Sequence, residues 1–380
     1  MTKLLTIIGA RPQIIKAAAL SRAIREHFAD KVSEKILHTG QHYDENMSAV
    51  FFEELGIPQP DYNLNVGSGS HGTQTAKMIE GIEKVLQSEH FDGLVVYGDT
   101  NSTLAGAIAA SKLHIPIFHI EAGLRSFNMA MPEEINRIAC DHLSSILFAP
   151  TDVAVKNLQL EGFEHSKAKF LNGKKREIYN SGDIMYDNSI YFANIAEQRS
   201  SILSNLKLSS NSFILSTIHR DNNTDDPIRL NNIFKALVDI SEADKQTVVL
   251  PLHPRTAKLL EKNIEPELHE RIQKSNFIKI IPPVSFLDMI ALEKNASIVV
   301  TDSGGVQKEA FFFEKPTIIL REETEWVEIV EHNAGILVGA NYNKIMNAYT
   351  DLSNRKVNFP KLFGNANASK YILEKIINFN

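Results

Sequence analysis

Short apolar runs recur along the chain, and longer amphipathic segments separate them. The runs occupy residues 4–8, 94–97, 115–120, 146–148, 213–217, 247–250, 278–281, 298–300 and 317–320. Runs of this length are typical of buried parallel strands. One intervening segment shows a clear helical stripe after the start signal at residues 225–227, with apolar side chains at Leu230, Ile233, Phe234, Leu237 and Val238. Alternating strands and helices predict an α/β fold with right-handed crossovers.

The length of 380 residues predicts two domains rather than one. Residues 162–180 are polar and lack helical periodicity, and a second strand and helix series begins near residue 213. We therefore predict a domain over residues 1–180 and another over 181–380, with a hinge around 165–200 and a last helix that packs back on the first domain. Two Rossmann-like, doubly wound sheets would face each other across a cleft, where open α/β sheets bind ligands.

Composition excludes several classes of protein. Forty-six acidic against 40 basic residues give a net charge of −6, which leaves no basic excess for a nucleic acid backbone. No apolar run approaches the roughly 20 residues that cross a bilayer, so we expect no membrane span. Because the chain has one cysteine, Cys140, it cannot form an internal disulfide, and a cytoplasmic location is predicted.

Two glycine-containing turns follow predicted strands and lead into helices. In the first, residues 9–16, Arg11 and Lys16 add positive charge to a helix start that can receive phosphate, although a plain turn with solvated cations explains it equally well. In the second, residues 301–309, the Ser303 hydroxyl and backbone N–H groups could hold a diphosphate, and Glu309 could accept from ribose hydroxyls. The alternative there is a capped helix. Together, the two turns indicate a nucleoside diphosphate joined to another group.

Carboxylates gather at the ends of predicted strands between these turns, at Asp99, Glu121, Glu133 and Glu134. Any one of them alone could cap a helix or pair with an arginine. Combined with His219 and Arg220 from the second half, they form an acid/base set suited to proton abstraction beside a nucleotide leaving group.

Other chemistry lacks the necessary residues. His38 and His42 are four apart, but a turn separates them and no carboxylate completes a zinc-binding helix, so we predict no metal site. The chain contains no Gly-x-Ser-x-Gly hydrolase motif, no Walker motif and no dinucleotide fingerprint. We expect no cofactor.

The ordered motifs GARPQIIK, TGQH, YGDTNSTLAGA, HIEAGLRS, PEEINR, THR, LPLHPRT and DSGGVQKEA resemble those of the non-hydrolysing UDP-N-acetylglucosamine 2-epimerases. The resemblance implies a fold like that of the B-type glycosyltransferases and a reversible epimerisation at sugar C2, by elimination and re-addition of UDP. It also implies roles for individual residues. Asp99, Glu121 and Glu133 match the catalytic acids and His219 the histidine beside the diphosphate, while the UDP-holding positions are matched by Arg11, Ser303, Gly304, Gly305, Glu309 and, less closely, Phe286.

This sequence departs from the family pattern at several residues, which we expect to surround the sugar. Ala10 and Gln13 replace the usual Thr and Glu, and residues 126–131 replace a Pro-rich stretch. These changes resemble the branch that acts on UDP-2,3-diacetamido-2,3-dideoxy-glucuronate, a precursor of surface polysaccharides. Arg125 and Arg137 flank the changed loop and could contact a sugar carboxylate, or they could simply pair with Glu121, Glu133 or Glu134.

The resemblance also implies a second, activating substrate site, which Gln41, His42 and His253 match in part. The arginine expected within residues 66–77 is absent. Three alternatives to the epimerase stay open: a hydrolysing 2-epimerase, a B-type UDP-sugar glycosyltransferase and a sugar-nucleotide sensor. We expect a homodimer.

Overall fold

The computed structural model describes residues 1–40, 56, 58–163, 175–252 and 254–379. The chain divides into two compact units. The first comprises Met1–Asn188 and Lys361–Asn380, and the second comprises Ser189–Pro360. The final helix therefore belongs to the first unit.

The first unit contains a seven-stranded parallel sheet of order β3-β2-β1-β4-β5-β6-β7. Its strands are β1 (Thr2–Ile8), β2 (Val32–His38), β3 (Tyr62–Asn63), β4 (Gly93–Tyr97), β5 (Ile117–Ile120), β6 (Ile146–Ala149) and β7 (Glu177–Asn180). Its first helices are α1 (Arg11–Ala23, continued as a π-helical turn over Ile24–Phe28), α2 (His71–Ser88), α3 (Asn101–Lys112), α4 (Pro132–Leu143) and α5 (Asp152–Leu160). The long helix α6 (Ile184–Arg199) leads into the second unit.

The second unit contains a six-stranded parallel sheet of order β10-β9-β8-β11-β12-β13. Its strands are β8 (Phe213–Thr217), β9 (Thr247–Pro251), β10 (Ile278–Ile281), β11 (Ile298–Thr301), β12 (Thr317–Ile319) and β13 (Gly335–Leu337). Its helices are α7 (Ile202–Asn205), α8 (Asp221–Thr224), α9 (Pro227–Asp244), α10 (Pro254–Asn263), α11 (Pro266–Lys274), α12 (Phe286–Asn295), α13 (Gly304–Phe312), α14 (Val327–Glu331) and α15 (Tyr342–Asn354). The chain then returns to the first unit and ends in α16 (Ala368–Phe379).

Each predicted apolar run forms a strand, and both sheets have the strand order of a Rossmann fold. The predicted helical stripe lies on α9, where all five apolar residues are buried and Asp226 caps the first turn by accepting from the N–H groups of Ile228 and Arg229. The predicted α/β fold class is thus confirmed. Strands β2, β3, β7 and β13 were not predicted. Among the described residues, no helix combines the length and apolarity that a membrane span requires.

Candidate active site

The turn from β1 into α1 is held by the side chain of Gln13, which is buried. Its Oε1 accepts from the N–H groups of Gly9 and Ala10 at 2.9 and 3.2 Å, and its Nε2 donates to the Tyr97 carbonyl and the Thr103 hydroxyl, both at 3.0 Å. A carboxylate could not donate to the Tyr97 carbonyl, so this position suits an amide. In this structure the Gln13 side chain serves the turn, and its place beside the sugar stays a prediction.

Lys16 lies on the next turn of α1 and forms an ion pair with Glu121, with 2.7 Å between Nζ and Oε1. The two side chains are only 10% and 11% exposed. Gly98 lies against this pair with φ of +59°, and a Cβ at this position would come within 3.3 Å of Lys16 Nζ and 3.4 Å of Glu121 Oε1. Glu121 itself has φ of +71°, a left-handed backbone that non-glycine residues adopt only at a cost. The ends of β4 and β5 are therefore fitted closely around a cation and a carboxylate.

Asp99 follows Gly98, and its carboxylate forms an ion pair with Arg137 of α4. Burial raises the pKa of Asp99 above its usual value even though Arg137 opposes the shift, and nearby Glu121 raises it further. The side chain nevertheless remains 27% exposed, so a ligand can reach it. An accessible carboxyl group with a raised pKa is suited to giving and taking a proton.

Arg137 connects Asp99 to the loop that precedes α4. Its Nη1 lies 2.5 Å from Glu134 Oε2, and the Glu134 carboxylate also accepts from the N–H groups of Ser126 and Phe127. Phe127 has φ of +57° and a side chain that is mostly exposed. Glu134, which is buried, thus fixes a strained loop beside Asp99, while Glu133 on the same helical turn is exposed.

Arg125 has a different environment from the one we expected. It is buried, with Nη1 2.8 Å from Asp141 and Nε 2.6 Å from Glu161. Arg125 thus pairs with carboxylates, although neither is one that we had named as its alternative partner. Of the two arginines that flank the loop, Arg137 is the one that contacts Asp99.

In the second unit, the buried carboxylate of Asp302 organises the end of β8. It accepts from the N–H groups of His219 and Arg220 and from the Asn223 amide, all at 3.1 Å, and lies 2.9 Å from His219 Nδ1. Burial would raise the pKa of Asp302, but these partners, His219 first, hold it below its usual value. A fixed anion at Nδ1 keeps a proton there and orients the imidazole, which is 53% exposed.

Ser303 caps α13, since its hydroxyl accepts from the N–H of Val306 at 3.4 Å. The two glycines that follow have different surroundings. A Cβ on Gly304 would lie 2.2 Å from Glu325 Oε1, which Arg321 holds, whereas a Cβ on Gly305 would meet nothing nearer than 3.9 Å. The open side at Gly305 leaves the first N–H groups of the helix available to an anion.

Glu309 lies further along α13 and is half-buried, and Phe286 begins α12 with its ring packed edge-on against Phe192 at 5.1 Å. Glu293, also on α12, is a residue that the sequence did not point to. It is buried, and neither carboxyl oxygen has a hydrogen-bond partner among the described residues. Burial raises the pKa of Glu293 well above its usual value, and Glu309 raises it further.

We expect Glu293→Gln to stabilise the protein progressively as the pH rises. The native state binds the Glu293 proton more tightly than the unfolded state, so its stabilising contribution is complete below the unfolded pKa of about 4.5 and is lost at higher pH. Thermal unfolding of wild type and variant between pH 5 and pH 9 should show a difference in Tm that grows with pH. Each kcal/mol of difference in unfolding free energy should shift Tm by about 2–4 °C. The exposed Glu261→Gln change is the control. A difference that is constant with pH would contradict the burial of a neutral acid.

Three residues that we linked to a second substrate site, Gln41, His42 and His253, lie outside the described residues. Within the part of the chain that the structure describes, no group of three or more His, Cys, Asp or Glu side chains is arranged to hold a metal ion.

Comparison with known proteins identifies the family of this chain. A family model described as UDP-N-acetylglucosamine 2-epimerase matches residues 23–377. The chain belongs to the UDP-N-acetylglucosamine 2-epimerase family. The epimerase is 50% identical to UDP-2,3-diacetamido-2,3-dideoxy-D-glucuronate 2-epimerase of Pseudomonas aeruginosa, over 98% of each chain. It is 47% identical, over 99% of each chain, to a UDP-N-acetylglucosamine 2-epimerase homolog of Methanococcus maripaludis.

A solved structure of a related epimerase has the same fold as this chain. UDP-GlcNAc 2-epimerase of Methanocaldococcus jannaschii, crystallised with UDP-GlcNAc and UDP, is 43% identical to this epimerase, with a TM-score of 0.82 and full coverage of both chains. The predicted family, the two-domain α/β fold class and the enzyme class, an isomerase of the UDP-sugar 2-epimerase type, are confirmed.

Proposed function

We propose that this epimerase inverts C2 of a UDP-2-acetamido sugar without hydrolysing it. The carboxyl of Asp99, partly accessible and with a raised pKa, is the observation that carries the proposal. Glu121, held by Lys16, supplies a second carboxylate beside it, and Glu133 a third on α4. Removal and return of a proton on opposite faces of a ring require more than one such group.

In the proposed reaction, a carboxylate takes the proton from C2, and the C2–H electron pair forms the C1=C2 double bond. The C1–O bond breaks, and its electron pair leaves with the UDP oxygen. UDP then adds back to C1 while a carboxyl group protonates C2 from the opposite face. No redox cofactor takes part in this scheme, because no net electron transfer occurs.

The UDP leaving group is assigned to the second unit and to the start of α1. Ser303, Gly304 and Gly305 would receive the diphosphate at the N-terminus of α13, with His219 and Arg220 stabilising its developing charge. Glu309 would accept from the ribose hydroxyls and Phe286 would lie near the uracil. Arg11 and Lys16 would add positive charge. The M. jannaschii relative, which was crystallised with UDP, supports the choice of nucleotide.

Incubation with a UDP-2-acetamido sugar in deuterated water, followed by NMR, tests this function. We expect both epimers at equilibrium, each with deuterium at C2. Accumulation of UDP and free sugar would instead identify a hydrolysing epimerase. Turnover that requires an acceptor sugar would identify a glycosyltransferase. Tight binding of the sugar nucleotide with no exchange at C2 would identify a sensor. Epimerisation with full retention of the C2 proton would exclude the elimination mechanism.

For the substrate, we propose UDP-2,3-diacetamido-2,3-dideoxy-glucuronate, in surface polysaccharide synthesis in the cytoplasm. Support comes from the P. aeruginosa relative and from the loop of residues 126–131 beside Arg137. The lone, buried Cys140 suits a reducing compartment. We also propose a homodimer, as the family resemblance implies.

We expect kcat/KM for the diacetamido-uronate to exceed that for UDP-N-acetylglucosamine by about tenfold or more, which corresponds to about 1.4 kcal/mol in the transition state. Initial rates measured by the NMR assay with each sugar nucleotide provide the comparison. Equal or greater specificity for UDP-N-acetylglucosamine would overturn the substrate assignment and leave the epimerase assignment standing.

A further inference from the structure

We propose that His119 is a positioning residue for epimerisation, acting as a buried imidazolium that fixes the backbone carrying Asp99 and Glu121. The proposal rests on the proposed function and adds to it a residue that does not touch the substrate. His119 lies on β5 and is fully buried.

The two ring nitrogens of His119 both face hydrogen-bond acceptors. Nε2 lies 2.8 Å from the Gly98 carbonyl, and Nδ1 lies 2.7 Å from Asp141 Oδ1. A carbonyl oxygen can only accept, so Nε2 must carry a proton. A carboxylate can also only accept, so Nδ1 must carry a second one as long as Asp141 is ionised.

Asp141 is held in its ionised form by two further donors. Its Oδ2 accepts from the N–H of Gly123 at 3.2 Å and lies 2.8 Å from Arg125 Nη1. Burial alone would lower the pKa of His119, but Cys140 and Asp141 raise it well above its usual value. Because Glu161, at the surface, balances Arg125, the positive imidazolium is part of a network with no net charge.

The network lies beside two left-handed points in the backbone of the site. Gly98 directly precedes Asp99, and Glu121 follows His119 by two residues, and both Gly98 and Glu121 have left-handed backbones. Glycine adopts this conformation freely, whereas at Glu121 it persists only where the surroundings hold it. His119 Nε2–H holds the Gly98 carbonyl, and the Ile120 carbonyl accepts from the Gly98 N–H at 2.9 Å. Residues of β5 therefore hold Gly98 through both its N–H and its carbonyl.

The test compares His119→Phe, which has no donor, with His119→Gln, which can still donate to the Gly98 carbonyl. We expect C2 deuterium exchange to fall at least about tenfold in H119F and less in H119Q, a partial rescue by the more conservative change. The Kd for UDP should stay within about twofold, because the proposed diphosphate cradle at Ser303 belongs to other elements. H90Q, at an exposed histidine, should leave the rate unchanged.

A second measurement does not depend on the variants folding. In wild-type protein labelled with ¹⁵N-histidine, both ring nitrogens of His119 should be protonated at pH 8. A neutral ring would overturn the proposal. So would exchange in H119F within twofold of wild type, or a parallel loss of exchange and UDP binding in both variants, which would indicate a purely structural role. Failure of wild type to exchange C2 hydrogen would instead reject the proposed function, while the NMR result would still decide the protonation of His119.

Discussion

Asp99→Asn should reduce the rate of C2 exchange by about 100-fold or more, the scale of positioned acid/base catalysis. Asparagine keeps the shape of the side chain but cannot take up or release a proton at neutral pH. Its amide oxygen can still accept from Arg137, so the variant should fold and bind UDP. Exchange rates by NMR and UDP affinity by calorimetry separate a catalytic loss from a binding loss.

Glu133→Gln provides a second catalytic arm of this experiment, and Glu80→Gln, an exposed residue of α2, provides the matched control. We expect the rate of C2 exchange to fall about 100-fold in Glu133→Gln and to stay unchanged in Glu80→Gln. Normal exchange in Asp99→Asn would assign Asp99 to the Arg137 ion pair alone. Normal exchange in Glu133→Gln would assign Glu133 to an ordinary position in the first turn of α4.

The fold could be predicted from the sequence wherever a strand is apolar along its whole length. β4 and β6 are examples, since helices cover both faces of an inner parallel strand and favour apolar residues throughout. β2 was missed because Glu34 and Lys35 interrupt its pattern. Glu34 accepts from Thr6 and Ser21, and Lys35 pairs with Glu89, so tertiary contacts compensate for polar residues that the local pattern cannot explain.

Strands β3, β7 and β13 were missed for a different reason. They have two to four residues, and β3 and β7 form the two edges of the first sheet. A strand this short shows no recognisable periodicity, and its position follows from pairing with a neighbour that is distant in sequence. β7 also ends the polar segment of residues 162–180, in which we had found no helical periodicity.

Candidate site residues could be named from the sequence where chemistry required a particular side chain near a strand end, as at Asp99, Glu121 and Ser303. The residues that hold them in place could not. Asp302 stands within a predicted motif, but its role depends on N–H groups at the end of another strand. Likewise, nothing in the local sequence distinguishes exposed Glu133 from buried Glu134. Helix geometry turns one toward Arg137 and the strained loop and leaves the other at the surface.

The Lys16–Glu121 pair allows two roles of Lys16 to be separated. Both side chains are nearly buried, so loss of either partner leaves a charge without compensation in a poorly solvated site. In Lys16→Met, Glu121 should take up a proton and cease to act as a base. We expect C2 exchange to fall about 100-fold in Lys16→Met and in Glu121→Gln. Lys84→Met, which removes an exposed ion pair on α2, is the control and should change exchange by less than about twofold.

The double variant Lys16→Met/Glu121→Gln decides between the roles. If Lys16 acts by keeping Glu121 ionised, its loss has no further effect once Glu121 is a glutamine, so the double variant should be about as slow as either single variant. If Lys16 acts mainly on the UDP phosphates, the two losses in kcat/KM should multiply, and UDP affinity should fall in Lys16→Met alone as well as in the double variant. The coupling between the two substitutions in kcat/KM therefore shows whether Lys16 acts on Glu121 or on the UDP leaving group. Only if Lys16 acts through Glu121 does the second substitution have no further effect on the rate.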